Sequence, residues 1–117
     1  MQPTVMSNVN SSMRVCAQEV FAPLMTVVPY DNFGDAVHEV DNSDFGLQCG
    51  IFTRDLKNIW HAYEHIEAGG VIVNDVSSYR VDHMPYGGVK QSGFGREGVK
   101  YAIEEMTEPK LLVMNMS

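Results

Sequence analysis

The chain has 117 residues and a formal net charge of −7, from eight Lys and Arg against fifteen Asp and Glu. Apolar residues make up 44% and charged residues 20%, which fits a globular chain and argues against disorder. The acidic excess argues against a nucleic-acid or anionic-membrane partner, which needs a basic face, but it allows a small anion in a local basic pocket.

The length is that of one domain, long enough to bury about two thirds of its unfolded surface. It is small for an enzyme that must hold both a dinucleotide and a substrate. The stretch 1–15 has no long apolar run and no early basic cluster, so it does not read as a signal peptide. No apolar run approaches the ~20 residues of a membrane span. Cys16 and Cys49 form no CxxC pair, and two buried free thiols are expected. The expected location is the reducing cytosol.

Thr4–Val9 is the first predicted strand, and the β-branched run Leu24–Tyr30 the second. Asn32 is placed to cap a helix whose apolar positions, Phe33, Ala36, Val37 and Val40, share one face. Leu47–Thr53 is a third strand. Thr53 or Asp55 caps the next helix, with a stripe of Leu56, Ile59, Trp60, Tyr63 and Ile66 that stops at Gly69–Gly70. Val71–Asn74 suits a buried parallel strand whose C-terminal end faces a ligand crevice. Asp75–Gly95 reads as one long, ordered loop. Arg96–Thr107 is a third helix with Val99, Ala102, Ile103 and Met106 on one face, ended before Pro109. Lys110–Asn115 is the last strand. This order implies an α/β fold: an open, mostly parallel sheet with helices on its faces.

Several residues invite a chemical reading. Gly93–Gly98 matches GxGxxG, but no strand immediately precedes it and no acidic residue stands about twenty positions on, so it reads as turns and a helix entry. His61 and His65 have the spacing of a metal pair but fall outside an HExxH motif, on a face expected to be solvated; no metal site is predicted. Glu19, in Gln18–Pro23, is either a surface carboxylate or an acceptor for ligand hydroxyls beside Phe21. Arg80 is either a surface cation or, following a strand's C-terminal end, a planar fork for a carboxylate or phosphate.

Read together, the motifs resemble the C-terminal part of the NAD(P)-dependent aldehyde dehydrogenase superfamily. Pro3-Thr4-Val5-Met6 with Met13-Arg14-Val15, Gln18-Glu19-Val20-Phe21-Ala22-Pro23, and Gly50-Ile51-Phe52-Thr53-Arg54-Asp55 occur in the family's order. The most specific block is Pro85-Tyr86-Gly87-Gly88-Val89-Lys90-Gln91-Ser92-Gly93-Phe94-Gly95-Arg96-Glu97-Gly98, followed by Thr107-Glu108-Pro109-Lys110. The stretch from Tyr79 to Tyr86 is most similar to the subgroup acting on lactaldehyde or, without phosphorylation, on glyceraldehyde 3-phosphate.

The resemblance implies aldehyde oxidation to an acid with NAD or NADP in the complete enzyme. It assigns Glu19 to the nicotinamide ribose and Phe21 to the nicotinamide side of the cofactor. It makes Tyr79, Arg80 and Tyr86 substrate-facing, for a small aldehyde with an anionic or hydroxylated tail. Gln18 and Ala22 depart from the family's Glu and Gly, and Ala22 is expected to tighten a turn. No catalytic residue is carried over, because the family's nucleophilic cysteine, general base and oxyanion donor lie upstream of Pro3. The 117 residues alone are therefore expected to be inactive. Residues 1–109 correspond to the catalytic domain, and 110–117 to the strand of an oligomerisation sheet, which implies a homo-oligomer. A binding or assembly module that kept the fold without its chemistry is the alternative.

Overall fold

A computed structural model of the chain describes residues 1–116. The elements in order are β1 (Thr4–Met6), α1 (Arg14–Ala17), β2 (Leu24–Thr26), α2 (Phe33–Asp41), β3 (Phe45–Gly46), β4 (Gln48–Ile51), α3 (Leu56–His65), β5 (Gly70–Val73), β6 (Val89–Lys90) and α4 (Val99–Met106). The fold is α/β, as the sequence implies. Its strands hydrogen-bond as three pairs: β1 with β2 parallel, β4 with β5 parallel, and β3 with β6 antiparallel.

Helix starts follow the capping chemistry. The Asn32 side chain accepts from the Asp35 N–H at 3.2 Å, and Asp55, rather than Thr53, accepts from the Lys57 N–H at 2.9 Å. Gly98 opens α4 at φ +117°, a conformation that a side chain would strain. Gly69 passes so close to the Gly87 carbonyl that a Cβ there would overlap it, which joins the α3–β5 turn to the start of the Gly87–Gly88 segment.

The core is small. Val37, Ile51, Ala62 and Ile66 are buried together, with Phe33, Cys49, Ile59, Ala68 and Val71 packed around them. This corrects the stripe assigned to α3. Ile59 and Ile66 face the core with Ala62, while Leu56, Trp60 and Tyr63 are exposed. The apolar arc of α3 spans about 160° at 100° per residue, and only the side that carries Ala62, Ile66 and Ile59 is covered by the core cluster. His61 is half-buried against the Phe33 ring at 6.2 Å, so it is not on a solvated face. His65 is exposed, and its Nδ1 lies 2.8 Å from the His61 carbonyl.

The segment after β5 is also more structured than a single loop. β6 pairs with β3, and Tyr86 forms an isolated antiparallel bridge with Glu97. Pairings this short leave no alternation to read. Lys110–Asn115 forms no strand: no sheet pairing includes it among the described residues, and Leu111, Leu112 and Val113 are exposed. Cys16 and Cys49 are free thiols as expected, but Cys16 is exposed rather than buried.

The chain has a radius of gyration of 19.0 Å. A compact chain of this length has about 13 Å. Its accessible surface is 9652 Å², where a folded monomer of this mass exposes roughly 6,300 Å². The chain therefore buries about half of its unfolded surface, not two thirds. The excess is apolar: Trp60, Tyr63, Val99, Ile103 and Met106 are all exposed. Contiguous apolar surface of this kind is uncommon on an isolated monomer.

Candidate functional site

Two groups of side chains stand at positions suited to ligands. The first lies on the connector between α1 and β2. Leu24 N–H donates to the Ala22 carbonyl at 2.7 Å, Ala22 N–H donates to the Val20 carbonyl at 2.9 Å, and Thr4 N–H donates to the Pro23 carbonyl at 2.9 Å. These bonds fix residues 20–23 against the β1–β2 pair. Ala22 is not among the residues with positive φ, so the turn tolerates its methyl group without strain. Glu19 lines a cleft of ≈ 480 Å³ together with Ser43, Gln48, Cys49, Gln91 and Ser92. Its carboxylate has no hydrogen bond or ion pair among the described residues. Phe21 is 94% exposed. An unpartnered carboxylate near a bare aromatic face suits a ligand that offers a diol and a flat ring.

Cys49 lines the same cleft, but its thiol is half-buried and burial pushes its pKa up. A thiol so placed is a poor nucleophile. It packs against the core, as its contact with that cluster shows.

The second group follows β5. The chain leaves the strand at Asn74, which sits at φ +59° while its side chain accepts from the Thr53 N–H at 2.9 Å. Gly50 of β4 admits the backbone of 75–77 where a Cβ would meet the Asp75 carbonyl at 2.7 Å. This anchors the base of the loop carrying Tyr79 and Arg80. The Arg80 guanidinium lies over the Tyr86 ring, 4.4 Å from its centroid, and Arg80 Nη1 is 3.2 Å from Glu97 Oε2. The two side chains of that ion pair are 41% and 67% exposed. The structure thus brings Arg80 and Tyr86 together. Tyr79 is exposed nearby in sequence, its N–H bonded to the Val76 carbonyl at 3.0 Å. Among the described residues, no hydrogen bond, ion pair or ring contact joins this group to Glu19 and Phe21.

Glu97 is the residue that sequence reasoning missed. It stands in the Gly95–Gly98 motif and gives no sign of its partner. Its position depends on paired backbone bonds with Tyr86: Tyr86 N–H to the Glu97 carbonyl at 3.1 Å, and Glu97 N–H to the Tyr86 carbonyl at 2.6 Å. Arg96, by contrast, points back to the main chain, its Nη1 donating to the Gly88 and Gly95 carbonyls at 3.0 and 2.7 Å.

A tie between elements holds the cleft walls. Asp41, at the end of α2, accepts from the Glu67 N–H at 2.8 Å and from Lys90 Nζ at 3.0 Å. The Glu67 backbone bond first, and the Lys90 bond second, hold the Asp41 carboxyl below the usual carboxylate range.

Residues 1–112 match the profile of the aldehyde dehydrogenase family. The chain belongs to that family. It is 56% identical over 114 residues to a 3-sulfolactaldehyde dehydrogenase of Priestia aryabhattai, an alignment covering 97% of this chain and 24% of the relative. The fold superposes with a TM-score of 0.90 on aldehyde dehydrogenase 21 from Physcomitrella patens, solved with its reaction product succinate, at 49% identity over 96% of this chain and 23% of that one. A glyceraldehyde-3-phosphate dehydrogenase from Methanocaldococcus jannaschii, solved with NADP, gives a TM-score of 0.83 at 41% identity, covering 89% of this chain and 22% of that one. The chain thus spans about a quarter of the length of the aldehyde dehydrogenases it matches.

Proposed function

We propose that the chain is the C-terminal part of the catalytic domain of an NAD(P)-dependent aldehyde dehydrogenase that oxidises an aldehyde with an anionic tail to the carboxylic acid. The observation that carries this reading is the Arg80 guanidinium lying over the Tyr86 ring after the C-terminal end of β5. That end of a parallel strand is where α/β folds bind ligands. A planar cation with free N–H groups suits a carboxylate, sulfonate or phosphate. The names of two relatives support the tail: one acts on 3-sulfolactaldehyde, and one was solved with the dicarboxylate succinate.

NAD or NADP, when bound, supplies the hydride acceptor. Glu19 accepts hydrogen bonds from the ribose hydroxyls, and Phe21 gives the nicotinamide side an apolar face; the unpartnered carboxylate and the bare ring fit those tasks. Tyr79, Arg80 and Tyr86 hold the substrate's tail. Neither thiol of the chain suits nucleophilic attack, since Cys49 is raised by burial and Cys16 stands in no nucleophile motif. The 117 residues alone therefore do not oxidise aldehydes. Residues 1–109 serve the catalytic domain, and 110–117 supply an edge strand to a partner subunit, making a homo-oligomer. The exposed Leu111, Leu112 and Val113 support that edge. Free thiols at Cys16 and Cys49 support a reducing, cytosolic location.

The test is Arg80→Ala in the complete enzyme carrying this segment. Losing a charge-assisted contact costs about 10- to 100-fold in kcat/KM for an anionic aldehyde. The loss for an uncharged aldehyde of equal length is expected to be at least about tenfold smaller. Equal losses for both substrates would refute the anionic tail.

A further inference from the structure

The proposed anion site contains an acidic residue of its own. Glu97 meets Arg80 as an ion pair, Oε2 to Nη1 at 3.2 Å, with both side chains open to solvent. A single exposed ion pair of this kind contributes little to stability. The backbones that carry its partners, however, are paired. The Tyr86–Glu97 bridge sets side by side the two residues that Arg80 meets, the Tyr86 ring under its guanidinium and the Glu97 carboxylate at Nη1. The opposite edge of the fork keeps its N–H groups for a ligand. Any anion bound there shares the guanidinium with a resident negative charge.

We propose that Glu97 is a specificity-determining residue, positioning Arg80 and setting the site for tails that carry one negative charge over tails that carry two. The inference rests on the reading of Arg80 as the tail-binding group. An anion on the free edge lies roughly 6–7 Å from the Glu97 carboxylate, and at a solvent-exposed site one extra unit charge at that range changes relative affinity by about three- to tenfold. A carboxylate or sulfonate bears one charge. A phosphate monoester bears two above its second pKa of about 6. The other charged groups on the flanking elements are Asp75, Asp82 and His83 on the Arg80 loop, Arg96 beside Glu97, and Lys100, Glu104 and Glu105 on α4, where Glu105 Oε1 accepts from the Arg96 N–H at 3.3 Å. These groups remain in the variants, so a wild-type to variant comparison cancels them.

The experiment measures kcat/KM for 3-sulfolactaldehyde, for glyceraldehyde 3-phosphate and for an uncharged aldehyde of equal length in the complete enzyme, as wild type, Glu97→Gln, Glu97→Asp and Arg80→Ala. At about pH 7.5, Glu97→Gln is expected to raise the phosphate-to-sulfonate ratio about three- to tenfold, with the change in KM rather than kcat. At about pH 5.5, where the phosphate carries one charge, the same substitution moves the ratio less than about twofold. Glu97→Asp keeps the wild-type ratio. A ratio unmoved by Glu97→Gln, or moved equally at both pH values, overturns the proposal. If Arg80→Ala keeps its preference for anionic over uncharged aldehydes, the functional reading fails and this inference with it. If Arg80→Ala loses that preference while Glu97→Gln leaves the ratio alone, only the role of Glu97 fails.

Discussion

Helices α3 and α4 carry the same kind of apolar spacing and meet opposite fates. On α3, Ala62 and Ile66 are buried and Ile59 packs beside them, because α2 and the β4–β5 pair cover that face. On α4, Val99, Ile103 and Met106 are 73%, 56% and 85% exposed. Periodicity thus tells which side of a helix is apolar, and the presence of a neighbour decides whether that side is core. In a chain that matches about a quarter of its relatives' length, uncovered faces are where the rest of the enzyme is expected to pack.

The comparison makes graded predictions. Ile66→Ala removes side-chain volume from the cluster of Val37, Ile51, Ala62 and Ile66 and should cost about 2–5 kcal/mol, read as a fall in thermal or denaturant midpoint of the 117-residue chain. A loss below about 0.5 kcal/mol would mean that the α2–α3 face is as unimportant to the isolated chain as that of α4.

A smaller effect belongs to the Asp41–Lys90 tie between α2 and β6. Lys90→Met should cost about 1 kcal/mol. Because the folded-state pKa of Asp41 is depressed, its contribution is fully present above the ordinary carboxylate value of about 3.9 and is lost as pH falls through the lower folded value. Asp41→Asn should therefore flatten the acid limb of the stability profile. An unchanged acid limb would remove Asp41 from the account.

The smallest effect on stability is expected at the tail. Leu112→Asp should change the unfolding midpoint by less than about 0.5 kcal/mol, since the side chain is already exposed. It should nevertheless reduce self-association, measured by light scattering. A large loss of stability would show that the tail packs on its own chain.

The caps at Asn32 and Asp55 and the parallel β5 strand were legible because each rests on local chemistry, whereas the last helix begins at Val99 after Gly98, not at Arg96 as its apolar spacing suggests. The exposed Trp60 and Tyr63 and the absent strand at 110–115 were not, because each depends on a neighbour that periodicity does not describe. At the candidate site, Arg80 and Tyr86 were readable as residue types that suit an anion. Their stacking and the Glu97 partner depend on a single backbone bridge, which leaves no pattern in the sequence.

The central claim is that these 117 residues contribute cofactor and tail contacts but no chemistry of their own. It is tested most directly by following NAD(P)H absorbance with the purified chain, either cofactor and an anionic aldehyde such as 3-sulfolactaldehyde. The account predicts a flat trace. An aldehyde-dependent rise that scales with protein concentration would contradict it.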